Sequence, residues 1–207
     1  MKRHGILIIL TLFFVSEAAA QYSAQLSPAG TVMKGISKAG SYAGIYEGAF
    51  GVLGQFRYGV GGYSDFGMKA AIIDLKSNSP KGDIGFCAAV DYKYQVMEVR
   101  IADPIDLSLG AALEIVKFNH FSNLMLGGAV IGSYPVALKN GRSLIPYGRL
   151  IMGFDRSRQS DNDAKTEFNL ALNMGATYEL SPSTDAVAEF QFDSDVAAFL
   201  MGLTFGL

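Results

Sequence analysis

The chain has 207 residues, of which 50% are hydrophobic and only 17% charged, with 24 glycines, 10 Tyr, 14 Phe, no Trp and a formal net charge of -2. That balance excludes a disordered chain, and 17 Lys+Arg set against 19 Asp+Glu exclude a strongly basic nucleic-acid binder. A charged fraction well below the roughly 25% usual for soluble domains suits a protein whose surface does not meet bulk water everywhere.

In chain order, Lys2 and Arg3 supply a positive start, residues 6–15 an apolar run broken only by Thr11, and Ala18, Ala19 and Ala20 a small-residue cleavage site ahead of Gln21. These are the three parts of a secretory signal peptide, so residues 1–20 are expected to be removed on export. As a helix the apolar run would span about 15 Å against a hydrocarbon core of roughly 30 Å, too short for an anchor. The one cysteine, Cys87, cannot form an internal disulfide and reads as a small packing residue. Residues 21–40, rich in Ser, Ala and Gly, read as a flexible lead-in, and residues 41–207 as a single β-domain.

From there the hydrophobic period is two. Alternation runs through residues 42–50, with Glu47 on the polar face, 52–60, 66–75, 84–96 and 105–115. It continues through 124–136, which is apolar on both faces, and then 146–154, 167–180, 186–192 and 199–207. Residues 167–180 are the clearest case: Phe168, Leu170, Leu172 and Met174 alternate with Glu167, Asn169, Ala171 and Asn173. Gly61-Gly62, Asn140-Gly141 and Ser181-Pro182 mark turns between runs. About ten strands (range 8–12) joined by short turns make an antiparallel meander, because parallel pairs need crossovers of a dozen or more residues. The one long uncharged stretch, residues 119–138, is broken by Gly127, Gly128, Gly132 and Pro135, which argues against a membrane-spanning helix.

Alternation alone does not say which face is inside. A soluble barrel buries its apolar stripe, whereas an outer-membrane barrel presents it to lipid. The polar stripes here are rich in Gly, Ala, Ser and Asn, as suits a confined lumen. Tyr46, Tyr58, Tyr94, Tyr134 and Tyr178 stand near strand ends, where an aromatic girdle would lie. Both features favour an up-and-down transmembrane β-barrel. The alternative is a soluble periplasmic barrel that binds an apolar ligand inside.

On these grounds the chain resembles small bacterial outer-membrane β-barrel proteins of eight to ten strands. The resemblance covers about residues 40–207 and rests on the hairpin pattern, on the segments 54–59 (GQFRYG) and 104–110 (PIDLSLG), and on the closing strand. It implies outer-membrane localisation, contact with lipid, and assembly by the barrel-assembly machinery, with no cofactor. Such proteins usually end on an aromatic residue; here Phe205 stands two residues before the end and Leu207 takes the last place.

Parity then assigns the faces. Lumen candidates are Glu47, Gln55, Arg57, Lys69, Asp91, Lys93, Gln95, Asp106, Glu114, Arg149, Asn169, Asn173, Glu189 and Gln191; lipid-facing candidates are Phe168, Leu170, Leu172, Met174, Phe199, Met201, Leu203 and Phe205. Near-balanced charge in a barrel of this size points to a cross-linked polar interior or a narrow channel, since wide aqueous channels need about sixteen strands. An outer-membrane enzyme is the third reading. It would rest on His120, but neither Ser122 nor any Asp stands at a diagnostic spacing, so no catalytic residue is assigned. Asp155, Asp161 and Asp163 read as a solvated loop, and no metal site is expected, because the glycine and glutamate of a calcium loop are missing.

Overall fold

The computed structural model describes residues 26–46, 48–75, 83–101, 103–159, 163–193 and 197–207. The expected signal peptide and Glu47 lie outside the described residues. Ten long antiparallel strands build the wall: β1 (Ser37–Tyr46), β2 (Ala49–Gly59), β3 (Ser64–Leu75), β4 (Asp83–Met97), β5 (Asp106–Lys117), β6 (Phe121–Ser133), β8 (Ser143–Gln159), β9 (Lys165–Ser181), β10 (Thr184–Phe192) and β11 (Ala197–Gly206). A two-residue strand, β7 (Val136–Ala137), pairs with the start of β8. Each long strand pairs with its neighbours in sequence, β6 pairs with β8, and β1 pairs with β11, so the sheet closes into an all-β, up-and-down barrel. Closure leaves none of the ten long strands at a free sheet edge.

Strand direction sorts the turns. The chain ends share one rim, the terminal rim, where Lys38 is in register with Gly206. The β2–β3, β4–β5, β6–β8 and β9–β10 connections lie there too, and the remaining connections lie at the far rim. At the terminal rim Gly141 takes a φ of 77° in a turn closed by Leu138 N donating to Arg142 O at 2.8 Å, as the Asn-Gly pair demands.

Four expectations change. First, β1 begins at Ser37, and residues 26–32, expected to be part of a flexible lead-in, enter the barrel: Leu26 and Ala29 are almost wholly buried. Gly59 lets this segment turn at the rim, because a Cβ there would fall 2.0 Å from Met33 O. Second, the run 42–50 is two strands separated at residues 47–48, where Gly48 has a φ of 76°. Tyr42 is therefore buried inside and Tyr46 packs against the inner apolar cluster, so neither belongs to an outer girdle. Third, Asp155 is within β8, half-buried and bonded by Asn123 and Asn169, because β8 and β9 continue their pairing past it (Asp155 opposite Glu167). Fourth, β6 is apolar on both faces because its inner residues Met125, Ala129 and Ile131 pack with Ala29 of the inserted segment.

Candidate functional site

Among the described residues, ion-pair clusters stand on opposite walls of the interior. On the β2–β4 wall, Arg57 donates to Asp65, and its Nη2 lies 2.9 Å from Asp91 Oδ1, an ionic contact without hydrogen-bond alignment. Lys93 Nζ lies 3.6 Å from Asp65 Oδ2. On the β8–β10 wall, Arg149 Nη2 donates to Glu189 Oε1 at 2.6 Å, and Tyr147 OH donates to Glu189 Oε2 at 2.7 Å. Asn173 Nδ2 and Gln191 Nε2 also donate to Glu189 Oε1, at 3.2 and 2.7 Å. All these groups are buried. Charges so far from water are tolerated only when paired and hydrogen-bonded; the carboxylate of Glu189 has both, whereas Asp91 is held by charge alone.

The inserted segment adds a third layer at the terminal rim. Its backbone is bonded by wall side chains, as its buried polar groups require. Leu26 N donates to Gln55 Oε1 (3.2 Å), Ala29 N to Ser133 Oγ (3.1 Å), Thr31 N to Gln95 Oε1 (3.2 Å) and Val32 N to Asp65 Oδ2 (2.8 Å). In the other direction, Ser108 Oγ donates to Ala29 O (2.5 Å), and Lys93 Nζ donates to Pro28 O (2.9 Å), Gly30 O (2.8 Å) and Ser27 Oγ (3.2 Å). A cavity of about 440 Å³ opens beside the segment, bordered by Gln95, Arg100, Asp106, Thr177 and Glu179. A deeper one of about 100 Å³ is bordered by Arg57, Lys93, Thr177 and Thr204. Pro28, Gly30, Thr31 and Val32 line both, as do Lys38, Ile145, Thr177 and Asp185 of the wall.

Of the lumen candidates, Gln55, Arg57, Lys69, Asp91, Lys93, Gln95, Glu114, Arg149, Asn173, Glu189 and Gln191 are buried, and Asp106 and Asn169 are half-buried. The two ends of the barrel take the half-buried pair. Asp106 accepts from Val99 N at 2.8 Å at the terminal rim, and Asn169 bridges Asp155 and Asp193 at the far rim. The structure brings Arg57 with Asp91 and Lys93, and Arg149 with Asn173, Glu189 and Gln191. Absent from those candidates are Asp65, Tyr147, Ser133 and Asn123. Counting back by two from Lys69 through Gly67 reaches Asp65, and from Arg149 reaches Tyr147, so parity alone could have found both; the run boundaries hid Asp65.

On the outer wall Phe168, Leu170, Leu172 and Met174 are 45–62% exposed, and Met201, Leu203 and Phe205 are exposed as well. Phe199 is half-buried because its ring lies 4.7 Å from that of Phe190. A soluble barrel holding an apolar ligand needs this stripe inside, and burial puts it outside. His120 is exposed in the turn between β5 and β6, and among the described residues no group of three or more His, Cys, Asp or Glu could hold a metal ion.

No protein-family profile and no curated protein matches the chain. Solved structures do. The β-domain of the Bordetella autotransporter BrkA superposes with a TM-score of 0.52 at 11% identity, covering 84% of this chain and 100% of that one. A KdgM porin (TM-score 0.41, 9% identity, 81% and 98% covered) and a de novo designed transmembrane β-barrel (0.41, 16%, 86% and 99%) are also similar. The chain therefore has the fold of the outer-membrane β-barrels.

Proposed function

We propose that the protein is an integral outer-membrane β-barrel with a structural role, its interior closed by ion-paired side chains and by residues 26–32, leaving at most a narrow passage. The observation that carries this reading is the outer wall. A continuous band of exposed Phe, Leu, Ile and Met, far larger than the apolar patches a water-soluble monomer shows, has lipid as its natural solvent. Strands of 9 to 17 residues meet the roughly 9 to 11 needed to cross a bilayer when tilted. In this reading a cleaved signal peptide exports the chain, the barrel-assembly machinery inserts it, the terminal rim faces the periplasm and the far rim faces outward. Catalysis has no part in it: His120, on which an enzymatic reading would rest, lies on an exposed turn.

Heat-modifiable migration on a detergent gel, combined with cell fractionation, tests the location. The folded form should run apart from the boiled form and should sediment with outer membranes; recovery from the detergent-free periplasmic fraction would overturn the reading. In planar bilayers the purified protein should show no steady conductance, and a stable open channel would replace the structural role with a pore.

A further inference from the structure

Residues 26–32 occupy a surface that recognises main chain. Gln55, Asp65, Lys93, Gln95, Ser108 and Ser133, contributed by β2 to β6, reach the backbone N–H groups of residues 26, 29, 31 and 32 and the carbonyls of 28, 29 and 30. Only the hydroxyls of Ser27 and Thr31 enter through side chains. The apolar side chains that seat the segment are Leu26, Ala29 and Val32, three residues apart in a chain that bends at Ser27, Ala29 and Gly30. Ser64–Leu75 and its neighbours would form the barrel wall without this segment, since none of their ladder bonds passes through it.

Lys93 is the centre of the arrangement. Its ammonium has three donors, and the segment supplies three oxygens within 3.2 Å, two of them carbonyls. The wall's own partner for it, Asp65 Oδ2, is farther, at 3.6 Å, and also accepts from Val32 N. Both cavities border the segment, so its bonded face is not wholly enclosed by wall side chains.

We infer that the terminal mouth of the barrel is a binding site for a bent, non-helical peptide backbone with small or apolar side chains at every third position, and that residues 26–32 are its tethered ligand. The site reads backbone, so it tolerates changes in the bound sequence that leave positions 26, 29 and 32 apolar. This goes beyond the proposed role in the membrane and needs only the folded barrel in detergent.

The test uses the whole chain. A specific protease site inserted between Lys34 and Gly35, in the exposed rim stretch, allows the folded protein to be cut after purification. The freed segment should stay with the barrel through gel filtration and should exchange with a fluorescein-labelled peptide, LSPAGTVM, added in excess. Saturable uptake should appear in the cut protein and be absent from the uncut one, where the site is occupied. Lys93→Met should weaken uptake at least about tenfold, as loss of hydrogen bonds from a charged donor does. A peptide N-methylated at the position of Ala29 should fail to bind, whereas Ser27→Ala in the peptide should bind nearly as well. Loss of the segment on cutting with no rebinding of labelled peptide would overturn the inference, as would equal uptake by cut and uncut protein. Heat-modifiable migration of the cut protein, read in parallel, reports whether the barrel itself is intact. Should Lys93→Met not fold, Gln95→Leu, nearer the mouth, provides the same comparison.

Discussion

Arg57 on β2 and Asp91 on β4 meet across an intervening strand because the residue in register between them is Gly67. A Cβ on Gly67 would fall 2.3 Å from Asp91 Oδ2 and 2.7 Å from Arg57 Nη1, so the ion pair occupies the space a side chain would fill. Gly67→Ala should push the pair apart and cost about 1–3 kcal/mol, the usual penalty for overpacking a filled interior. Gly62→Ala, in the exposed β2–β3 turn with nothing within 4 Å, should be near neutral. Urea titration of the reconstituted protein checks both, and equal midpoints would remove Gly67 from this role.

The opposite wall repeats the device. Tyr147 on β8 and Glu189 on β10 are each in register with Gly175 on β9, and the tyrosine ring lies over that glycine on its way to the carboxylate. Glu189 also carries Arg149, Asn173 and Gln191. Removing only the cation leaves this carboxylate buried without its counter-charge, so Arg149→Met should cost about 3–5 kcal/mol. Arg149→Met combined with Glu189→Gln should recover much of that loss, because no bare charge remains. A double variant as unstable as the single one, by the same urea titration, would mean that packing and not charge dominates here.

The strand pattern was legible because an apolar outer wall and a packed, largely polar lumen force opposite chemistry on alternate residues. Lys69, Asp91, Glu114 and Glu189 could be assigned a face from parity alone. Legibility failed where the inner face is itself apolar or small. Tyr42 and Leu200 are buried inside although their residue types suit lipid equally well, and the split at residues 47–48 was masked by an apolar run crossing it. The inserted segment was illegible for a different reason: its backbone bonds go to side chains 29 to 104 residues away in sequence, which no local period records. Which lumen groups pair was equally hidden, since register between strands, not position along one, brings Arg57 over Gly67 to Asp91.

Cys87 is buried on the inner face of β4 among Tyr42, Leu53, Ala71, Val116 and Leu200. A thiolate-directed reagent needs both access and ionisation, and this setting denies the first. The folded protein should resist a bulky maleimide that labels the boiled protein fully, with mass shift on the gel as the readout. Rapid labelling of the folded form would mean that a water-filled path reaches the barrel interior, which the closed-lumen reading forbids.

Met174 lies mid-strand on β9 and is exposed on the outer wall, while its neighbours Asn173 and Gly175 face the cluster around Glu189. In water an exposed methionine can become arginine at little cost. Against lipid near the bilayer midplane the same change should cost about 2–4 kcal/mol. The same charge introduced by Thr166→Arg, on the same face of β9 but at its far-rim end where the residue is already exposed, should cost only about 0–1 kcal/mol. Folding the two variants into lipid vesicles and measuring their urea midpoints separates these cases. The depth dependence is the discriminating feature, because a water-exposed wall would treat positions 166 and 174 alike, whereas a wall in lipid penalises only the one held at its centre.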